Sequence, residues 1–364
     1  GLRQIVNDPE QRKKLVIYIN PPYAEAGNAK QRAGTGENKT SVSVLHSTYR
    51  RFVDEIGIAG RELFAQFFAR IYKDMPGCIL GEFSTLKHLQ APNFRKFRQL
   101  FRAKLRRSFI VPANTFDNVK GEFPIGFFIW DTATQTDFSE ITADVFDRDG
   151  VPLEQKQVRL NVDCPLITDW VAKNIPLKPN GPAIGFLAKT NSNDFQNNNI
   201  ICVLNKKEQL PNPRGRWIDA DSLLICAVYY AIRKCLEATW LNDRDQFLYP
   251  NDGWKSDGEF QGDCLVFTLF HGQNRISCEH GVNHWIPFTE EDVGAQDCFA
   301  SHFMSDFLKG KKNGEAASSP LQMELDASST SGKDSASPLS FTISDEARAV
   351  LDAGRELWRY YHRQ

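Results

Sequence analysis

Asn20-Pro21-Pro22-Tyr23 ends the apolar run Leu15-Val16-Ile17-Tyr18-Ile19 and collects residue types that suit one kind of chemistry. An exocyclic amino group on an aromatic base is a poor nucleophile, because its lone pair is delocalised into the ring. The Asn20 side-chain oxygen and the Pro21 carbonyl oxygen could each accept one of its N–H groups. That would draw the nitrogen toward tetrahedral geometry and aim its lone pair at an electrophilic methyl group. Tyr23 would add a flat face for a planar substrate to stack on. Positioning and hydrogen-bond acceptors suffice, and no strong base is needed. A strand-ending turn with an incidental tyrosine accounts for the same four residues, so their surroundings matter.

The elements that would hold them follow from patterning. Residues 15–19 have the length and β-branched content of a strand buried on both faces, as in a parallel α/β sheet. Two prolines cannot extend it, since each fixes φ and removes a donor. In open α/β sheets, ligands bind just outside such carboxyl-terminal strand ends. A polar loop over 26–39 follows, then an amphipathic helix over 61–74 with Leu63, Phe64, Phe67, Phe68 and Ile71 at helical spacing. Residues 78–83 read as a second strand and 93–105 as a helix carrying Phe94, Phe97, Leu100, Phe101 and Leu105. Strands over 108–111 and 123–130 complete this part.

Asn-Pro-Pro-Tyr after an apolar strand resembles the catalytic motif of S-adenosylmethionine-dependent amino methyltransferases, above all the adenine-N6 DNA methyltransferases of restriction–modification systems. The resemblance implies Asn20, Pro21, Pro22 and Tyr23 as catalytic residues, S-adenosylmethionine as cofactor, and double-stranded DNA with a flipped adenine as substrate. The strand–helix–strand–helix order closed by two adjacent strands is similar to the second half of that family's sheet. Its final hairpin carries an aromatic residue that sandwiches the extruded base, a position Phe116 matches by order and setting. A hairpin phenylalanine packing on its own strands explains Phe116 as well. Glu62-Leu63-Phe64 resembles the helix segment lining the family's cofactor pocket, and core packing explains it equally well.

Between Glu82 and Asp117 the chain has eight cations and no acid. Arg95, Arg98 and Arg102 fall at i, i+3 and i+7 of the expected helix, opposite its phenylalanines. With Lys87 and Lys120 they could track a DNA backbone, or form an ordinary solvated face. The formal net charge of −1 excludes a generally polybasic protein, so nucleic-acid affinity would need segregated charge. No apolar run is long enough to span a bilayer and no signal peptide is evident, which makes the cytoplasm the expected compartment. Eight cysteines at irregular spacing read as thiols. Cys278, Glu279, His280, His284, Cys298 and His302 have zinc-ligand types, but their spacing fits no common zinc pattern, and no metal is expected.

Beyond Asp131, residues 141–146 and 156–160 read as a hairpin around Asp149-Gly150. The amide-dense stretch 189–199 could read base edges or form an exposed turn. Residues 222–241 read as a long helix, and 263–270 as a buried strand or short helix. The region resembles a target-recognition portion in place and size. Residues 309–338 are rich in Ser, Gly, Ala and Lys, and a helix capped by Ser344 follows. Its stripe of Val350, Leu351, Leu357 and Trp358 is interrupted at Gly354.

The expected fold is therefore α/β: half of a Rossmann-like methyltransferase sheet, then a mixed α+β target-recognition-like domain. The expected divisions are 1–135, 136–308, a linker over 309–340 and a terminal helix over 341–364. The glycine-rich cofactor turn of the family is not found, and the residues before Leu15 are too few for the strands that carry it. The resemblance then implies a carboxyl-terminal portion that binds S-adenosylmethionine weakly by itself and needs an amino-terminal methyltransferase portion. A DNA-binding specificity module without catalysis is the competing class. A protein-glutamine methyltransferase uses the same motif, but the length beyond the catalytic part argues against it.

Overall fold

The apolar run before Asn20 forms β1 (Val16–Ile19), and its only strand neighbour among the described residues is β2 (Ile79–Thr85). A computed structural model describes residues 2–21, 46–117, 119, 121–137, 139–160, 164–211, 214–276, 284–309 and 342–363. The chain divides into two compact units. The first comprises 1–164 with 194–196 and 238–246, and the second holds the remainder.

In the first unit, β3 (Ala103–Pro112), β4 (Pro124–Gln135), β5 (Glu140–Phe146) and β6 (Pro152–Arg159) complete a mixed sheet of order β1-β2-β4-β3-β5-β6. β1 runs parallel to β2 with Ile19 beside Glu82, and β3 runs parallel to β5. The other neighbours are antiparallel. Helices α1 (Ser47–Ile56), α2 (Leu63–Asp74) and α3 (Arg95–Leu100) supply Phe52, Ile56, Phe64, Phe68 and Phe97 to a core shared with Leu80, Phe128 and Trp130. Period-2 alternation sends the neighbouring side chains to the other face, where Tyr18, Phe83, Phe109 and Phe127 meet ring to ring.

Several expectations change here. β1 is not buried on both faces: Val16 is 68% and Tyr18 65% exposed, while Ile17 and Ile19 pack on the core. An edge strand has one neighbour, and its alternate side chains point away from the helices. The helix expected over 93–105 ends at Leu100, and Leu105 lies in β3. The ladder to β4 supplies partners for that backbone, which overrides the helical spacing. Phe67 is exposed, although its spacing put it with the core residues. The Asp-Gly hairpin forms as read, with Gly150 at φ +83° and the Asp147 carboxylate accepting from the Asp149 and Val151 N–H groups. Because β5 pairs with β3, this hairpin belongs to the first sheet. The chain accordingly divides after Cys164 and not at 135/136.

The second unit holds a smaller sheet. Strands β7 (Gly185–Ala188), β8 (Cys202–Leu204), β9 (Gly215–Ile218) and β10 (Asn274–Arg275) lie in the order β10-β8-β7-β9. Its helices include α4 (Ile167–Asn174), α5 (Leu223–Lys234), α6 (Gly258–Phe270) and α7 (Asp345–His362). The helix expected over 222–241 stops at Lys234. Residues 238–246 join the first unit, where Lys156 Nζ donates to the Leu241 carbonyl and the Asp245 carboxylate.

The final helix is capped by Ser344, as its sequence indicated, but its buried stripe is Ala347, Leu351 and Gly354, with Trp358 beside it. Val350 (44%) and Leu357 (67%) are exposed. Gly354 is not a gap in that stripe. A Cβ there would come 2.2 Å from a Phe270 ring carbon, so its missing side chain lets α7 close on α6. Residues 310–341, nearly all of the expected linker, lie outside the described residues. Among the described residues no helix is long and apolar enough to cross a membrane.

Candidate active site

Asn20 follows the last paired residue of β1 and is exposed, whereas Pro21 is buried. The chain leaves the sheet where the first proline removes the donor that a further rung would need. The amide therefore stands at a carboxyl-terminal strand end and not within the core. Pro22 and Tyr23 lie outside the described residues, as does Lys120.

Phe116 is half-buried beyond the short helical turn Ala113–Thr115 that ends β3. Its ring meets Phe83 of β2 edge-on, with centroids 5.2 Å apart. Phe83 in turn meets Tyr18 of β1 (6.4 Å), Phe109 (6.0 Å) and Phe127 (4.8 Å). The residue expected to stack on a base thus belongs to a ring cluster that reaches the strand bearing Asn20. Ile19 pairs with Glu82, so Asn20 comes level with Phe83 along the strands.

The segment expected to line a cofactor pocket is engaged in the fold. Phe64 is buried and stacked on Phe94, with centroids 5.5 Å apart. Glu62 is buried and receives a hydrogen bond from Lys87 Nζ. Leu63 is half-buried at the start of α2. A carboxylate neutralised by lysine and a ring with both faces packed leave little for S-adenosylmethionine to contact, so these three residues do not fit that group.

Three of the expected phosphate-binding cations are likewise engaged. Lys87 binds Glu62. Arg98 donates to the carbonyl oxygens of His88 (3.2 Å) and Ala91 (2.9 Å), and burial with the nearby Arg95 charge brings its pKa down to about 10. Arg102 lies past the end of α3 and makes a two-pronged pair with Asp137, at 2.9 and 3.0 Å. The continuous basic face expected at 95, 98 and 102 does not form, because the helix ends too early to present it. Arg95 is exposed on α3, and Lys104 and Arg107 are exposed on β3.

Sequence reasoning passed over the two most perturbed groups in this unit. Glu82, in the middle of β2, is fully buried and accepts the Trp130 Nε1–H at 3.0 Å. Burial pushes its pKa up to about 8, against the hydrogen bonds from Trp130 and Ser84. His88 is buried among Phe64, Phe68, Phe128 and Trp130, and burial pushes it down to about 3. A glutamate inside an apolar strand, Ile79-Leu80-Gly81-Glu82-Phe83, was the available signal.

The amide-dense stretch is only partly turned inward: Asn191, Asn197 and Asn199 are exposed, whereas Asn193 and Asn198 are held by the fold. Asn193 Oδ1 accepts from the Thr168 N–H and hydroxyl, and buried Asn198 pairs with Arg233 through both its oxygen and its nitrogen. His302 hydrogen-bonds both Glu290 oxygens at 2.9 and 2.7 Å. Those bonds, with one from the Phe299 N–H, hold Glu290 down to about 2. His284 sits 2.8 Å from the Ser301 hydroxyl. Among the described residues no three His, Cys, Asp or Glu side chains are grouped to hold a metal, and Cys278, Glu279 and His280 lie outside them.

No protein-family model matches the chain, and no curated protein matches it. Among solved structures it is similar to the Type IIL restriction–modification enzyme MmeI in complex with DNA. That similarity has 13% sequence identity and a TM-score of 0.26, over 51% of this chain and 24% of that one. The chain therefore spans about a quarter of that enzyme, and a likeness so distant carries no argument about chemistry.

Proposed function

We propose that this chain is the base-binding and target-reading portion of an adenine-N6 DNA methyltransferase of restriction–modification type. The observation that carries the reading is the exposed Asn20 at the carboxyl end of a strand parallel to its neighbour, level with the ring cluster that contains Phe116. A buried Asn20 would have removed it. In this reading the Asn20 side-chain oxygen and the Pro21 carbonyl accept the two N–H groups of a flipped adenine amine. Tyr23 and Phe116 hold the ring between them. Unstacking a base costs on the order of a few kcal/mol, which two aromatic plates can offset.

Glu62, Leu63 and Phe64 do not build the donor site, so no step through S-adenosylmethionine is assigned to them. Among the described residues β1 has no strand neighbour besides β2, and that edge is where a further methyltransferase segment would add its strand and bring the methyl donor. That engaged segment also favours the second reading, a DNA-binding specificity module without catalysis.

The test uses the chain with and without a methyl-donor-binding methyltransferase segment supplied in trans, tritium-labelled S-adenosylmethionine and duplex DNA of mixed sequence. The pair should label adenine, Asn20→Ala should abolish labelling, and DNA affinity should be retained. DNA binding without labelling by the pair would leave the non-catalytic module. Micromolar binding of S-adenosylmethionine by the chain alone would show a donor site elsewhere in it.

A further inference from the structure

Three cations of the second unit stand together, and among the described residues none of them is paired with an acid. The Lys189 N–H donates to the Arg214 carbonyl at 2.8 Å, continuing the β7–β9 ladder whose last partners are Ala188 and Gly215. Lys189 and Arg214 are therefore opposite each other, and opposed residues share a sheet face. Arg216, two residues along β9 from Arg214, shares that face by the same alternation. Their hydrogen bonds go to neutral carbonyls. Lys189 Nζ reaches Thr190 O at 3.4 Å, and Arg216 reaches Ile175 O at 2.8 Å and Gly215 O at 3.2 Å. Arg214 is exposed, and Lys189 and Arg216 are half-buried.

A fold gains nothing from this arrangement by itself. Like charges placed opposite each other on a sheet are destabilising. Burial and the charges of Arg216, Arg214 and Arg233 together hold Lys189 below its ordinary pKa. The acid nearest in sequence, Asp219, is occupied by the Ser222 hydroxyl and the N–H groups of Asn180, Gly181 and Ser222. Uncompensated positive charge held on strand ends is what a polyanion would neutralise.

We infer that Lys189, Arg214 and Arg216 form a phosphate-binding site for the sugar–phosphate backbone of duplex DNA. The inference rests on the DNA reading above and adds to it the surface through which the second unit meets the duplex. The site carries affinity and not sequence choice, since phosphate contacts position a protein without reading bases. Asn193 and Asn198 of the stretch that follows Lys189 do not share this role, because they are held by Thr168 and Arg233.

The experiment is fluorescence anisotropy of the full chain with a mixed-sequence DNA duplex between about 50 and 200 mM KCl, where affinity falls with salt in proportion to the phosphates contacted. Lys189→Gln should reduce the slope of log affinity against log salt by about one, and Lys189→Gln with Arg214→Gln by about two. Lys189→Arg should keep the wild-type slope. The melting temperature of Lys189→Gln should equal or exceed that of the wild type, because a repulsion is relieved. Salt-dependent wild-type binding with unaltered slopes in the variants overturns the site and leaves the DNA reading standing. A wild type that does not bind DNA overturns both. A lowered melting temperature with an unchanged slope makes Lys189 structural, and displacement of DNA by inorganic phosphate at matched ionic strength makes this a free-anion site. Either result overturns the inference.

Discussion

Replacing Glu82 with glutamine isolates a buried acid from everything else in the first unit. Glu82 is fully buried on β2, and its ordinary value near 4.5 is pushed up to about 8 by burial. A group whose folded pKa is raised stabilises the fold below its unfolded pKa and loses that contribution as pH rises toward the folded one. Each pH unit inside the window is worth up to about 1.4 kcal/mol, which sets a ceiling of about 5 kcal/mol for the whole of it. His88 works in the opposite sense. It is pushed from 6.5 down to about 3, so its contribution is lost as pH falls below 6.5. Between about pH 4.5 and 6.5 the two slopes oppose each other, and between 6.5 and 8 Glu82 acts alone. The wild type should lose roughly 2 kcal/mol across that upper interval. Glutamine keeps an oxygen for the Trp130 N–H and cannot ionise, so Glu82→Gln should remove most of the slope. Urea unfolding followed by amide exchange in β2 and β4 reports the first unit directly. Parallel loss of stability in both proteins from pH 6.5 to 8 would falsify the assignment of that slope to Glu82.

Further outcomes follow from single contacts. Gly354→Ala puts a methyl group into the Phe270 ring and should destabilise the second unit by about 1–3 kcal/mol in urea unfolding, with Phe270→Leu recovering part of the loss. Arg98→Ala takes the guanidinium donor from the His88 carbonyl and leaves the Ala91 carbonyl with the Phe94 N–H alone, and should cost about 1–3 kcal/mol. Arg95→Ala, on the exposed face of the same helix, should stay within about 0.5 kcal/mol of the wild type by thermal melting. Asp147→Ala removes the acceptor for two backbone N–H groups in the β5–β6 turn and should lower stability by about 1 kcal/mol, read by amide exchange in that hairpin.

Where the local chemistry permits one answer, the sequence was readable. Two prolines can end a strand but cannot extend it, and Asn20 is found beside such an end. Asp149-Gly150 called for a turn with positive φ at the glycine, and Gly150 has it. Ser344 ahead of two acids called for a helix start, and its hydroxyl accepts the Ala347 N–H. The phenylalanines at 94, 97 and 101 are buried as their spacing required.

Charge and burial partners could not be read in the same way. A basic stripe at 95, 98 and 102 presupposed a helix long enough to align it, and the ladder between β3 and β4 ended that helix at Leu100. Lys87 found Glu62 and Arg102 found Asp137 across many residues of chain, so neither charge could be assigned from its neighbours in sequence. The apolar stripe of α7 was misplaced because Gly354, which offers no side chain, is the residue that admits Phe270.

Residue order by itself determined the strand end that carries Asn20, the tight turn and the helix cap, because each depends on backbone freedom within a few residues. Tertiary structure decided which face of β1 is covered, which arginines keep an exposed charge, and that Glu82 holds its proton to about pH 8. Those properties are set by desolvation and by partners brought together in space, and neither is encoded in any short stretch of the chain.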